Sequence, residues 1–138
     1  MGKLNLVIDS GVTEITFTDL DDHVFSRFRM NPTDINLGKR AIATSEWFSS
    51  AFGKKMETLD EVADLNHEIE EKISYILGYE SSNEIFGEIP ALTILPDGSI
   101  FAEHVVGKIM EVAEPAIKER RQSLAARAGE YTGKYESV

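Results

Sequence analysis

The residues to test first for chemistry are the histidines, because imidazole is the usual metal ligand and proton carrier near neutral pH. His23, His67 and His104 lie far apart, and none has a second histidine or a cysteine at ligand spacing. His67 followed by Glu68 lacks the second histidine that a zinc-binding helix needs. Asp19, Asp21, Asp22 and His23 form a denser cluster that could coordinate a hard cation. It lacks the glycine and closing glutamate of a calcium hand. Glu70 and Glu71 are adjacent, so on a helix they do not face each other and make a poor acid/base pair. No glycine-rich phosphate loop, nucleophile elbow or serine-triad pattern is present. The absence of cysteine excludes a disulfide scaffold, a zinc–cysteine site and a thiol nucleophile. The sequence therefore assigns no catalytic, cofactor-binding or metal-binding residue. It reads as a protein that binds rather than reacts, not an enzyme.

Charge says more. The net charge is −10 over 138 residues. From residue 56 to 103 twelve acids face one base, Lys72. From Lys118 onward the balance reverses, with Lys118, Arg120, Arg121, Arg127 and Lys134 against Glu119, Glu130 and Glu136. An acidic body repels nucleic-acid phosphates over most of its surface. The sequence reads the acids first as a solvated helix face that keeps the chain soluble, and second as a surface matched to a basic partner. No apolar run approaches the roughly 20 residues needed to span a bilayer. The run Leu6, Val7 and Ile8 is too short for a signal-peptide core. The chain reads as cytoplasmic.

The elements that must position any binding residue are mostly helical. The length fits one domain. The expected architecture is mainly α: an N-terminal β-hairpin within residues 1–18, three main helices and one short helical turn, in a single domain over residues 1–128. Residues 4–8 (LNLVI) and 13–18 (TEITFT) read as the two strands of the hairpin, with Asp9, Ser10 and Gly11 as the turn. Residues 19–30 read as a short helix or an irregular loop. Asn31, Pro32, Thr33 and Asp34 mark a helix start, with Thr33 or Asp34 as cap, and Gly53 marks its end. Gly38 within that helix is an unfavourable choice locally.

The clearest periodicity lies in residues 58–87. Leu59, Val62, Leu65, Ile69, Ile73 and Ile76 form one apolar stripe. Thr58 with Glu61 is a capping box, and Gly78 is the stop. A second box, Ser81 with Glu84, opens a turn that pushes out Ile85 and Phe86 and closes at Gly87. Residues 89–95 read as extended or irregular, and Pro96, Asp97 and Gly98 as a turn. A last helix starts near Ser99 on Phe101, Val105, Ile109, Val112 and Ala116. Pro115 is expected to kink it or break it near Glu114. Gly129 and Gly133 loosen the end, so residues 129–138 are expected to fray. Trp47, Phe48, Tyr75, Tyr79 and Phe86 read as core aromatics, with an exposed helix-binding patch as the alternative.

The motif FRMNPTD at 28–34, ISYILG at 73–78 running into SNEIFGE at 82–88, the proline-containing break and the basic end KERR at 118–121 together give a resemblance. The chain resembles the tail assembly chaperones of long-tailed bacteriophages and prophages of Gram-positive hosts. The family phrase FGEG is matched at its first three residues, with Ile89 in place of the last glycine. The resemblance implies a non-catalytic morphogenesis factor that coats the tape measure protein, helps recruit tail tube subunits and is absent from the finished particle. A longer frameshifted product is common in that family. Under this reading a partner helix would lie between the last helix and the Ile85–Phe86 corner, with Ile85, Phe86, Ile109 and Val112 as anchors and Arg120 and Arg121 as rim. Self-association is left open. Two other classes compete: an acidic nucleic-acid mimic that blocks a host nuclease, using the carboxylates of residues 57–71, and a small head–tail connector of the virion.

Overall fold

The computed structural model describes the backbone of residues 2–136 and the side-chain burial of residues 2–130. Within it the order is β1 (Thr13–Thr18), β2 (Val24–Met30), α1 (Ile35–Phe52), α2 (Leu59–Leu77), α3 (Ser82–Phe86) and α4 (Phe101–Glu136). The chain is thus an N-terminal antiparallel hairpin followed by helices.

The hairpin is not the one expected. β1 pairs with β2, from Thr13 opposite Met30 to Phe17 opposite Ser26, with a bulge between Phe17 and Thr18. Among the described residues, residues 4–8 pair with no strand, and they are exposed. The reason lies in burial. β2 alternates, with Ser26, Phe28 and Met30 buried and Arg27 and Arg29 outside. Ile15 and Phe17 of β1 add to the same inner face. The connecting turn is closed by Asp19, whose Oδ1 accepts the amides of Asp21 at 2.9 Å and His23 at 3.0 Å. Residues 19–30 are therefore a turn and a strand, not a helix or loop.

α1 begins as expected. Asp34 Oδ1 accepts the Asn36 amide at 2.9 Å, and Gly53 follows the last turn. Leu37, Ala41, Phe48 and Ala51 turn inward. At α2, Thr58 Oγ1 accepts the Glu61 amide at 3.2 Å. Glu61 reaches back to the Glu57 amide at 3.1 Å, one residue earlier than in the usual box. Gly78 ends α2 at φ 82°, a conformation that suits glycine, and its amide bonds Ser74 O at 2.9 Å. Leu65, Ile69, Ile73 and Ile76 are buried and Val62 is half-buried, but Leu59 at the first turn is 83% exposed. Arg40 ties α1 to α2: its Nε donates to Ile76 O at 3.0 Å, next to the carbonyl end of the helix.

The α2–α3 corner differs from a second capping box. Ser81 makes no side-chain cap. It is fully buried, and its hydroxyl meets Ser74 Oγ at 3.0 Å. Residues 89–95 cross the body without regular structure. The Leu92 amide is held by Asn66 Oδ1 at 2.9 Å, and Asn66 Nδ2 donates to Glu70 at 3.0 Å. Burial raises the Glu70 carboxyl above its ordinary range, opposed by His67 and the Asn66 bond.

The core is aromatic at one end. Phe101, the first residue of α4, meets Phe17 at 5.6 Å, Phe25 at 5.6 Å and Phe86 at 5.7 Å. Ala102, Val105, Ile109 and Ala113 continue the buried stripe of α4. The helix does not break at Glu114; it runs through Pro115. Pro115 and Glu111, whose carbonyl loses its amide partner, are both exposed, so water can take up that carbonyl. Residues 121–130 are all exposed, although Ser123, Leu124 and Arg127 border a hollow shared with Thr33. The backbone is helical through Glu136. Residues 137–138 of the tail expected to fray lie outside the described residues.

Candidate functional site

The expected partner groove between the last helix and the Ile85–Phe86 corner is filled. Ile85, Phe86 and Ile109 are buried core residues. Phe86 packs edge-on against Phe101. Val112 is half-buried against the same core. None of these offers a free anchor, and the physical reason is simple. A short helix with two adjacent apolar residues buries them when an aromatic cluster stands opposite. Arg120 and Arg121 are adjacent on a helix, so they point about 100° apart and line different hollows.

The acidic turn is used internally. Asp19 caps its own loop, and His23 Nε2 meets Glu88 Oε1 at 2.9 Å. The hydrogen bond to Glu88, then its charge, holds the imidazole above its ordinary pKa. Asp19, Asp21, Asp22 and His23 therefore do not converge as ligands. Among the described residues no group of three or more histidine, aspartate or glutamate side chains is arranged to hold a metal.

One constellation is new relative to the sequence reading. Asp97 Oδ1 accepts from Ser99 Oγ at 2.5 Å and from the Ser99 amide at 2.9 Å. The Ser99 hydroxyl also meets His104 Nε2 at 2.7 Å. These are the residue types of a serine triad in the wrong order. A triad needs the carboxylate on the imidazole and the imidazole on the hydroxyl. Here the serine stands between them and gives its single proton to the carboxylate, so the imidazole must donate to the serine. These bonds, first the Ser99 hydroxyl and then its amide, hold the Asp97 carboxyl below its usual range. The arrangement fixes the turn that leads into α4. Its signal in the sequence is the D-G-S spacing at 97–99, which reads as a turn only.

Among the hollows on the described surface, one is an apolar groove between α1 and α4. Gly38, Ala41, Ile42, Met110, Ala113 and Ile117 line it, with Glu114 and Arg121 beside them, around a hollow of about 310 Å³. Gly38 explains itself here. A side chain at Gly38 would meet Ile117 Cδ1 at 2.6 Å, so glycine lets the two helices approach. Ile42 is 65% exposed, and Ile117 and Met110 are half-buried. Both walls are helices of several turns. No family model, no curated protein and no solved structure matches this chain. The groove must therefore be read from its own chemistry. It presents aliphatic side chains at the bottom and one charge of each sign at the rim, continuous with the exposed second half of α4. That chemistry suits the apolar face of an amphipathic helix. The sequence reading missed it because Ile42 and Ile117 lie in separate helices whose contact no spacing announces.

Proposed function

We propose that this chain is a non-catalytic tail assembly chaperone of a long-tailed bacteriophage or prophage of a Gram-positive host. It holds helical segments of the tape measure protein, helps recruit tail tube subunits, and acts in the host cytoplasm. The observation that carries the reading is the α1–α4 groove: an apolar floor of Ala41, Ile42, Met110 and Ile117 flanked by Glu114 and Arg121. Such a groove binds an amphipathic helix without chemistry, and the sequence resemblance supplies the partner. Apolar anchoring should make the complex persist in salt, with the charges acting mainly on the on-rate. No described helix is long and apolar enough to cross a membrane, which agrees with a partner in solution.

A specific observation favours a second reading. Asp60, Asp64, Glu68 and Glu71 are all exposed along α2. A row of carboxylates on one helix suits a nucleic-acid mimic, whose binding would weaken steeply as salt rises. The test is co-expression with the tape measure protein encoded nearby. The wild type keeps that partner soluble, and Ile42→Asp, an exposed substitution that leaves the fold intact by circular dichroism, lets it precipitate. A folded wild type that leaves the partner insoluble overturns the chaperone reading.

A further inference from the structure

The two-stranded sheet has one covered edge and one open one. On β2 the Arg29 amide donates to the Tyr79 hydroxyl at 2.8 Å, with the Arg29 guanidinium 4.7 Å from the centre of the Tyr79 ring. That amide points away from β1. Arg29 and Glu14 face each other in the register, so they form a non-hydrogen-bonded pair. By the same geometry the backbone amide and carbonyl of Glu14 point outward from β1, and by alternation so do those of Thr16. Among the described residues β1 pairs with no strand but β2. Glu14, Thr16 and Thr18 are exposed. An open strand edge of this kind is a template for another strand.

The same chain carries an unpaired strand. In residues 4–8 (LNLVI), Leu4 is 86%, Leu6 72%, Val7 92% and Ile8 80% exposed. No backbone group of these residues is hydrogen-bonded to another described residue. Four aliphatic side chains in five residues are costly to leave in water. The turn that follows is anchored at the end of β2. Ser10 O accepts from Asn31 Nδ2 at 2.7 Å, Gly11 sits at φ 79°, and the Gly11 amide bonds Asp9 at 2.9 Å. In this structure residues 4–8 do not pair along β1 of their own chain.

We propose that residues 4–8 of one copy add as a third strand to the outer edge of β1 in a second copy, reciprocally, in a two-fold dimer. The occupant is a second copy because both halves of the interaction, the free strand and the free edge, are on this one chain. Charge agrees. Residues 4–8 are uncharged, Lys3 precedes them, and the edge they meet carries Glu14. Strand addition satisfies the Glu14 and Thr16 backbone groups and covers part of the aliphatic arm. This interface is separate from the α1–α4 groove and does not rest on the chaperone reading.

Sedimentation equilibrium of the full chain over a wide range of concentration tests it. The wild type sediments as a dimer in equilibrium with monomer. Val7→Pro removes an amide from the arm and disfavours its pairing, yet touches no core residue. It sediments as a monomer with unchanged helical circular dichroism. Thr16→Pro blocks the edge from the other side: the Thr16 amide faces outward, so proline there spares the β1–β2 ladder and also gives a folded monomer. A wild type that stays monomeric overturns the proposal, whether its arm is free, closed on its own β1 or reserved for a different protein. A Val7→Pro chain that remains dimeric overturns it equally.

Discussion

Ser26 is buried on the inner face of β2, and its hydroxyl has no hydrogen-bond partner among the described residues. A buried hydroxyl left unpaired costs free energy, so removing it relieves that cost. Ser26→Ala is expected to raise stability by up to about 1 kcal/mol in a denaturant melt. A clear loss of stability would mean that the hydroxyl has a partner. His23 gives a pH signature. Its pKa is raised above the ordinary 6.5 by the hydrogen bond and charge of Glu88. A folded pKa above the unfolded one means that the pair stabilises fully below the unfolded value. That contribution is lost as pH rises through the folded value. An NMR titration should find the His23 pKa above 6.5 in the wild type and returned toward it in Glu88→Gln. Equal titration curves would show that the pair is not formed in solution. Neither residue was legible beforehand. Ser26 is a polar interruption that hides the alternation of Phe28 and Met30, and Glu88 lies 65 residues from His23.

At the scale of elements, α2 carries the fold. Ile69 and Ile73 are fully buried at its centre. Ile73→Asp is expected to unfold the chain, because an unpaired buried charge costs several kcal/mol against a total of roughly 5–15. A folded mutant with an unchanged melt would contradict the assignment of this stripe to the core. Helix ends were readable because caps are local: Asp34, Thr58 and Gly78 act through neighbours a few residues away. The sheet was not readable in the same way. LNLVI has as much strand propensity as VFSRFRM, and only burial decides that the second pairs with β1. The same limit explains Ile85 and Phe86. Their spacing predicts an apolar pair on a short helix, but which way it faces depends on Phe101, fifteen residues further on. Pro115 shows the reverse error. A local rule predicts a kink or a break, and of these the break does not occur, because the exposed position lets the helix continue.

For the whole molecule, the acidic body and the long α4 divide the labour. The body stabilises the fold through one core that spans β1, β2 and all four described helices. α4 belongs to the core as far as Ala113, and Ile117 still packs against it one turn further on. An exposed helical segment gains little from packing on its own chain and is marginal in isolation. It begins beside the α1–α4 groove, so a helix seated there would also run along its side. Fold class, single-domain size and charge division follow from composition and periodicity. The groove does not, because it exists only where α1 crosses α4 over Gly38. The measurement that tests the central claim most directly is hydrogen–deuterium exchange of this chain with and without a soluble helical segment of the tape measure protein. The account predicts added protection in the α1 and α4 segments around Ile42, Met110, Ile117 and Arg121, with no change around Ile85 and Phe86. Protection confined to the acidic face of α2, or no protection anywhere, would contradict it.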